Sequence, residues 1–175
     1  MAASDPATLG ANGADETANP EAPQVAALAQ YVKDLSVENP SSPQVLQWNE
    51  QPQLDVQFNI AVNKIADDVH EVVLKIDASA RSASGVHFVL DLSYAGLFGL
   101  RNIPEEQLPP FLLVEAPRLL FPFARQVVAH SVQDAGFPPL MLDPIDFAGI
   151  YMAQVEAQAQ QADGGEQPAG EPTVQ

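Results

Sequence analysis

Residues Leu54, Val56, Phe58, Ile60 and Val62 alternate with Asp55, Gln57, Asn59 and Ala61. A side-chain period of two belongs to a β-strand, so this run predicts a strand with one buried face. The pattern returns twice. Val72, Leu74, Ile76 and Ala78 alternate with Val73, Lys75 and Asp77, and Val86, Phe88, Leu90, Leu92 and Tyr94 alternate with His87, Val89, Asp91 and Ser93. A weaker strand is predicted over 30–38, with Tyr31, Lys33, Leu35 and Val37 on one face and Val32, Asp34, Ser36 and Glu38 on the other. A proline-marked loop, Asn39 to Pro52, separates it from the next strand and holds the single tryptophan, Trp48. The polar stretch Ser79–Gly85 reads as a turn, which makes its flanking strands an antiparallel hairpin.

After Gly99 the pattern becomes helical. Pro104, Glu105 and Glu106 suit a first helical turn. Leu119, Leu120, Phe123, Val127 and Val128 keep helical spacing up to Gly136, a natural stop, with Pro122 expected to kink the helix or mark a junction. A second helix is expected after Asp146 as N-cap, with Phe147, Ile150, Tyr151 and Val155 on one face. Strands first and helices after predict an α+β domain, a sheet with helices on one face.

Charge then bounds function. The net charge is −16, and all seven Lys and Arg residues lie between Lys33 and Arg125. Such a chain repels phosphates and anionic bilayers, so nucleic acid and direct membrane insertion are not expected. The acidic ends, rich in Ala, Gly, Pro and Gln, read as disordered tails over 1–26 and 164–175, around a domain at 27–163. There are no cysteines, MAASDPATLG lacks a signal-peptide pattern, and no apolar run approaches the roughly 20 residues of a membrane helix, so a cytoplasmic protein is expected.

Catalytic signatures are missing. His70, His87 and His130 show no metal-binding spacing, Gly96-Leu97-Phe98-Gly99 is no phosphate loop, and Asp67-Asp68 reads as a solvated turn. No enzyme, metal or cofactor is expected. Two features remain. The segments 97–100, 108–114, 119–123 and 137–142 supply more apolar side chain than a small sheet and two helices require, which favours an interface or groove. Asp34 and Glu38, with Val89 and Asp91, fall on the polar faces of their strands; this is either an ordinary solvated face or a docking site for a basic partner.

Several blocks resemble the SecB protein-export chaperone family, in order and in register. They are KDLSVENP (33–40), IADDVHEVVL (65–74), YAGLF (94–98), LLFPFAR (119–125) and GFPPLMLDPIDF (136–147), within a span of about 27–160. The resemblance implies an ATP-independent holdase of the cytoplasm, a homotetramer built as a dimer of dimers from four-stranded antiparallel sheets with long helices on one face. It implies capture of unfolded precursor proteins in apolar grooves and their delivery to the SecA motor. The family's SecA-docking positions fall on Asp34, Glu38, Val89 and Asp91, with Asp91 in place of the usual glutamate. Its peptide-contact stretch falls on Leu54, Val56 and Phe58, and the helix that builds the tetramer centre contributes Leu119, Leu120, Phe123 and Val127. Two alternatives stay open: a SecB-like chaperone of a toxin–antitoxin system, and a carrier of a small lipid-like ligand in a closed monomeric pocket.

Overall fold

Four long strands build one antiparallel sheet: β1 (Gln24–Glu38), β2 (Gln53–Ala66), β3 (Val69–Ser82) and β4 (Gly85–Arg101). These come from a computed structural model, which describes residues 22–163. The tails expected over 1–26 and 164–175 lie outside the described residues, except that β1 already begins at Gln24. The strand order is β1-β4-β3-β2. Tight turns at Asp67-Asp68 and Ala83-Ser84 join β2 to β3 and β3 to β4, and Gly85 takes the positive φ (141°) at the second turn. β3 continues through Ser79–Ser82, where a turn was expected. Ser79 and Arg81 look outward there, while Ala78 and Ala80 are buried among the core residues. Small inward residues hid the alternation.

Because β1 and β2 are opposite edges, the link between them must cross the end of the sheet. Three strand spacings amount to about 14 Å. Asn39–Pro52 makes that crossing, with a short 3-10 turn at Gln44–Gln47 pinned by buried Val45. Asn39 Nδ2 donates to the carbonyl of Ala135, tying the link to the end of the long helix (3.1 Å).

A helical rod covers the inner face. It begins with a 3-10 turn at Glu105–Gln107, continues through α1 (Leu108–Pro110) and a π turn at Phe111–Glu115, and becomes α2 (Ala116–Asp134). The π turn ends just before Pro117, which has no N–H to donate back along the helix. The helix runs through Pro122, whose ring lies on the exposed side. Ala116, Leu120, Ala124, Val128 and Val132 recur every four residues, and all are buried. They pack on Leu74, Ile76, Leu90, Leu92 and Phe98 of the central strands. Leu120, expected at a subunit interface, is fully buried in the chain's own core, whereas Leu119 and Phe123 are half exposed. The correction follows from the four-residue stripe, which turns Leu120 toward the sheet and Leu119 away from it.

Gly136, at positive φ (94°), ends α2 as expected. Phe137 N reaches back to Val132 O and Gly136 N to Gln133 O. α3 (Phe147–Asp163) is capped by Asp146, whose Oδ1 accepts from Gly149 N at 3.0 Å. Phe147 is buried in the core, but Ile150, Met152 and Val155 stay exposed.

The helix packs tightly over the sheet at Gly96. A Cβ there would lie 2.7 Å from Leu120 Cδ2 and 2.9 Å from the Phe98 ring, and both side chains are fully buried. Gly96→Ala should therefore destabilise the fold by about 1–3 kcal/mol, read as a lower urea midpoint. An unchanged midpoint would mean that α2 sits further from the sheet.

Candidate functional site

The inner face of the sheet is wider than the helix that covers it. At one end lies a cavity of about 420 Å³ lined by Val45, Leu46, Trp48, Leu54, Phe88 and Phe137, among others. Its walls come from the β1–β2 link, the starts of β2 and β4, and the chain after α2. His87 is buried between the Trp48 ring (5.1 Å, edge-on) and Phe137 (6.2 Å), and its Nε2 meets Ser82 Oγ at 3.0 Å. Glu50 stands at the rim, where the Ser82 hydroxyl and the Ser84 N–H and hydroxyl hold its carboxyl below the usual range.

A second, smaller recess of about 70 Å³ opens along β2, between Phe58, Ile60, Leu113, Phe147, Ile150 and Tyr151. Leu54, Val56 and Phe58 all lie on the helix-facing side of β2, opposite Ala80, Ala78 and Ile76. Leu54 belongs to the first recess and Phe58 to the second. Val56 and Phe58 also pack against the core, Phe58 edge-on to Phe121 at 6.5 Å, while Leu54 is exposed. Four residues of strand separate the recesses, about 13 Å. In the sequence, residues 137–142 count toward an apolar supply that favours an interface or groove, with no partner wall named; the structure sets Phe137 and Leu140 against the Trp48 loop.

The outer face carries the acids. The β1–β4 register sets Glu38 opposite Val89, Ser36 opposite Asp91 and Asp34 opposite Ser93. Asp34, Glu38, Val89 and Asp91 thus share one face, with the three acids exposed. Sequence reading left out Asp77, which lies directly opposite Asp91, and Asp55 two strands away. The Asp77 carboxyl raises the Asp91 pKa by hydrogen bonding, and burial and charge repulsion push the same way.

One face assignment changes. A register shift between Val32 and Asp34 leaves Lys33 as an extra, unpaired residue, a β-bulge. Tyr31 and Lys33 therefore do not share a face with Leu35 and Val37, as simple alternation predicts. They lie on the outer side and meet Glu71 of β3. Glu71 is 5% exposed and accepts from Lys33 Nζ (2.7 Å), Tyr31 OH (2.5 Å) and Asn63 Nδ2 (2.9 Å). Those contacts, led by Lys33, hold its pKa at about 2.

Among the described residues, no group of three or more His, Cys, Asp or Glu is placed to hold a metal. No helix there is long and apolar enough to cross a membrane.

A sheet with one polar face and one half-covered apolar face offers two distinct surfaces for binding. The family model described as Preprotein translocase subunit SecB matches residues 18–158. The chain is 55% identical over 149 residues to the protein-export protein SecB of Sphingopyxis alaskensis, covering 85% of this chain and 87% of that one. It is 58% identical to that of Rhizorhabdus wittichii (85% and 89% covered) and 50% identical to that of Erythrobacter litoralis (95% and 92%). The fold is similar to a Mycobacterium tuberculosis SecB-like chaperone solved with a ChAD peptide from the HigA1 antitoxin (TM-score 0.56, 19% identity, 71% of this chain and 91% of that one). This chain belongs to the SecB family and is a protein-export chaperone.

The Asp77–Asp91 pair has a measurable consequence. A carboxyl whose folded pKa is raised costs stability once it ionises, and the cost vanishes below its titration range. Asp77→Asn should raise the urea midpoint at pH 7, and the gain should shrink as pH falls through the range in which Asp91 takes up its proton. A gain independent of pH would mean that the two carboxyls do not interact.

Proposed function

We propose that this chain is a nucleotide-independent holdase of the cytoplasm that captures unfolded precursor proteins and delivers them to the SecA motor, working as a tetramer, a dimer of dimers. The observation that carries the reading is the pair of recesses joined along β2 by Leu54, Val56 and Phe58. An extended client can set one side chain in each recess and lie along the strip between them. Apolar burial contributes roughly 25 cal/mol per Å², so such a groove holds many sequences without reading any one. Leu46 and Leu54 are both more than half exposed, which supports an open groove over the closed pocket of a lipid carrier.

The outer acids serve the partner. Asp34, Glu38 and Asp91 around Val89 suit a basic docking surface, and their charge would steer its approach. The half-exposed Leu119 and Phe123, one helical turn apart on α2 and near Val127, suit self-assembly. Sedimentation equilibrium should give a tetramer that splits toward dimers on dilution; a concentration-independent monomer would contradict it.

Trp48 is the sole tryptophan and lines the groove, so its emission reports occupancy. Adding an unfolded, signal-bearing precursor should shift that emission saturably, and Leu54→Ser should weaken binding while circular dichroism and assembly size stay unchanged. Unaltered affinity in a folded Leu54→Ser variant would place the groove elsewhere. Asp34→Ala with Glu38→Ala should change stability by less than about 0.5 kcal/mol, because both groups are exposed. It should weaken SecA binding in calorimetry and leave precursor capture intact. Equal SecA affinities would show that the patch is only a solvated face.

A further inference from the structure

Among the described residues, β1 is an edge strand, paired through its backbone to β4 alone. Its inner side is thinly covered, with Val32 and Leu35 both more than 40% exposed. Little helix holds it in place, yet it carries Asp34 and Glu38. What the structure supplies instead is on the outer face. β4 lies between β1 and β3, so Tyr31 and Lys33 must reach across it to Glu71. The residue opposite Tyr31 is Ala95, small and fully buried, which leaves that path open. Asn63 closes the set from β2. One buried carboxylate thus ties residues of β1, β2 and β3 over the top of β4.

The Lys33 bulge is part of this tie. In a regular strand Lys33 and Asp34 would point to opposite faces. With Lys33 inserted as the extra residue, the cation reaches Glu71 and Asp34 still faces outward opposite Ser93. A buried carboxylate without its cation is costly, so Glu71 holds Lys33 in the bulge, and with it the register of everything that follows.

We infer that Glu71 is a positioning residue: through Lys33 and Tyr31 it anchors β1 in its bulged register and so presents Asp34 and Glu38 to the docking partner. The presentation step rests on the docking reading above; the anchoring step does not.

The chain has no cysteines, which allows a direct register probe. Ser36 and Asp91 are directly opposed, so Ser36→Cys with Asp91→Cys should oxidise readily to a disulfide. Adding Glu71→Gln should slow that oxidation and speed amide hydrogen exchange across Gln24–Glu38 more than across β3 and β4. In the chain without added cysteines, Glu71→Gln and Lys33→Met should each weaken SecA binding about threefold to tenfold while Trp48-detected precursor capture is kept. Unchanged oxidation and unchanged β1 exchange would overturn the anchor. Loosened β1 with undiminished SecA affinity would overturn the presentation step, provided that Asp34→Ala with Glu38→Ala does weaken SecA. If that double variant binds SecA as wild type does, the docking reading fails, and oxidation and exchange still decide the anchor. Exchange raised uniformly over all strands would show a general stability role and would also overturn it.

Discussion

The structure depends on a mismatch of lengths. β4 has 17 residues, about 55 Å of extended chain, while the continuous helical rod from Leu108 to Asp134 spans only about 40 Å. One helix cannot cover one face of such a sheet. The stripe from Ala116 to Val132 seals the middle, where β3 and β4 bury their inward side chains. The ends and the β2 margin stay partly open, and apolar surface left there must find other cover or serve as a binding surface. Here loops frame it into recesses. The β1–β2 link and residues 136–140 enclose one, and the start of α3 encloses the other.

The antiparallel sheet lets its two faces do different work. The inner face sells no specificity and offers shape-tolerant apolar contact, which suits a chaperone that meets many chains. The outer face concentrates acids on adjacent strands and sets Asp77 directly opposite Asp91, which raises the Asp91 pKa. In the function proposed, a client and a partner are held on opposite sides of the same strands. Glu71 shows the same face used for anchoring, with a charge kept ionised by three donors.

Much of this was legible in the chain. Branched side chains at every second position gave β2 and the middles of β3 and β4, and Asp146 and Gly136 marked the helix ends because local chemistry alone decides a cap. The acids fell together because Asp34, Glu38, Val89 and Asp91 each obey the alternation of their own strand. What stayed hidden depends on tertiary partners. The Lys33 bulge breaks the period for the sake of Glu71, 38 residues away. Ala80 is buried but too small to mark the strand beyond Ala78. Leu120 and Leu119 look alike in sequence, and only the packing of α2 separates core from free surface. The walls at Trp48 and Phe137 meet across the fold and share no spacing that a linear reading could find.

The function proposed is that the open inner face holds unfolded chains without chemistry. The most direct measurement is the refolding of a denatured, slow-folding precursor, followed by its own enzymatic activity or fluorescence, with this protein present at increasing ratio and no nucleotide. Refolding should be arrested in proportion to the chaperone added, and a competing unfolded chain should relieve the arrest. Refolding at an unaltered rate with the chaperone in excess would contradict it.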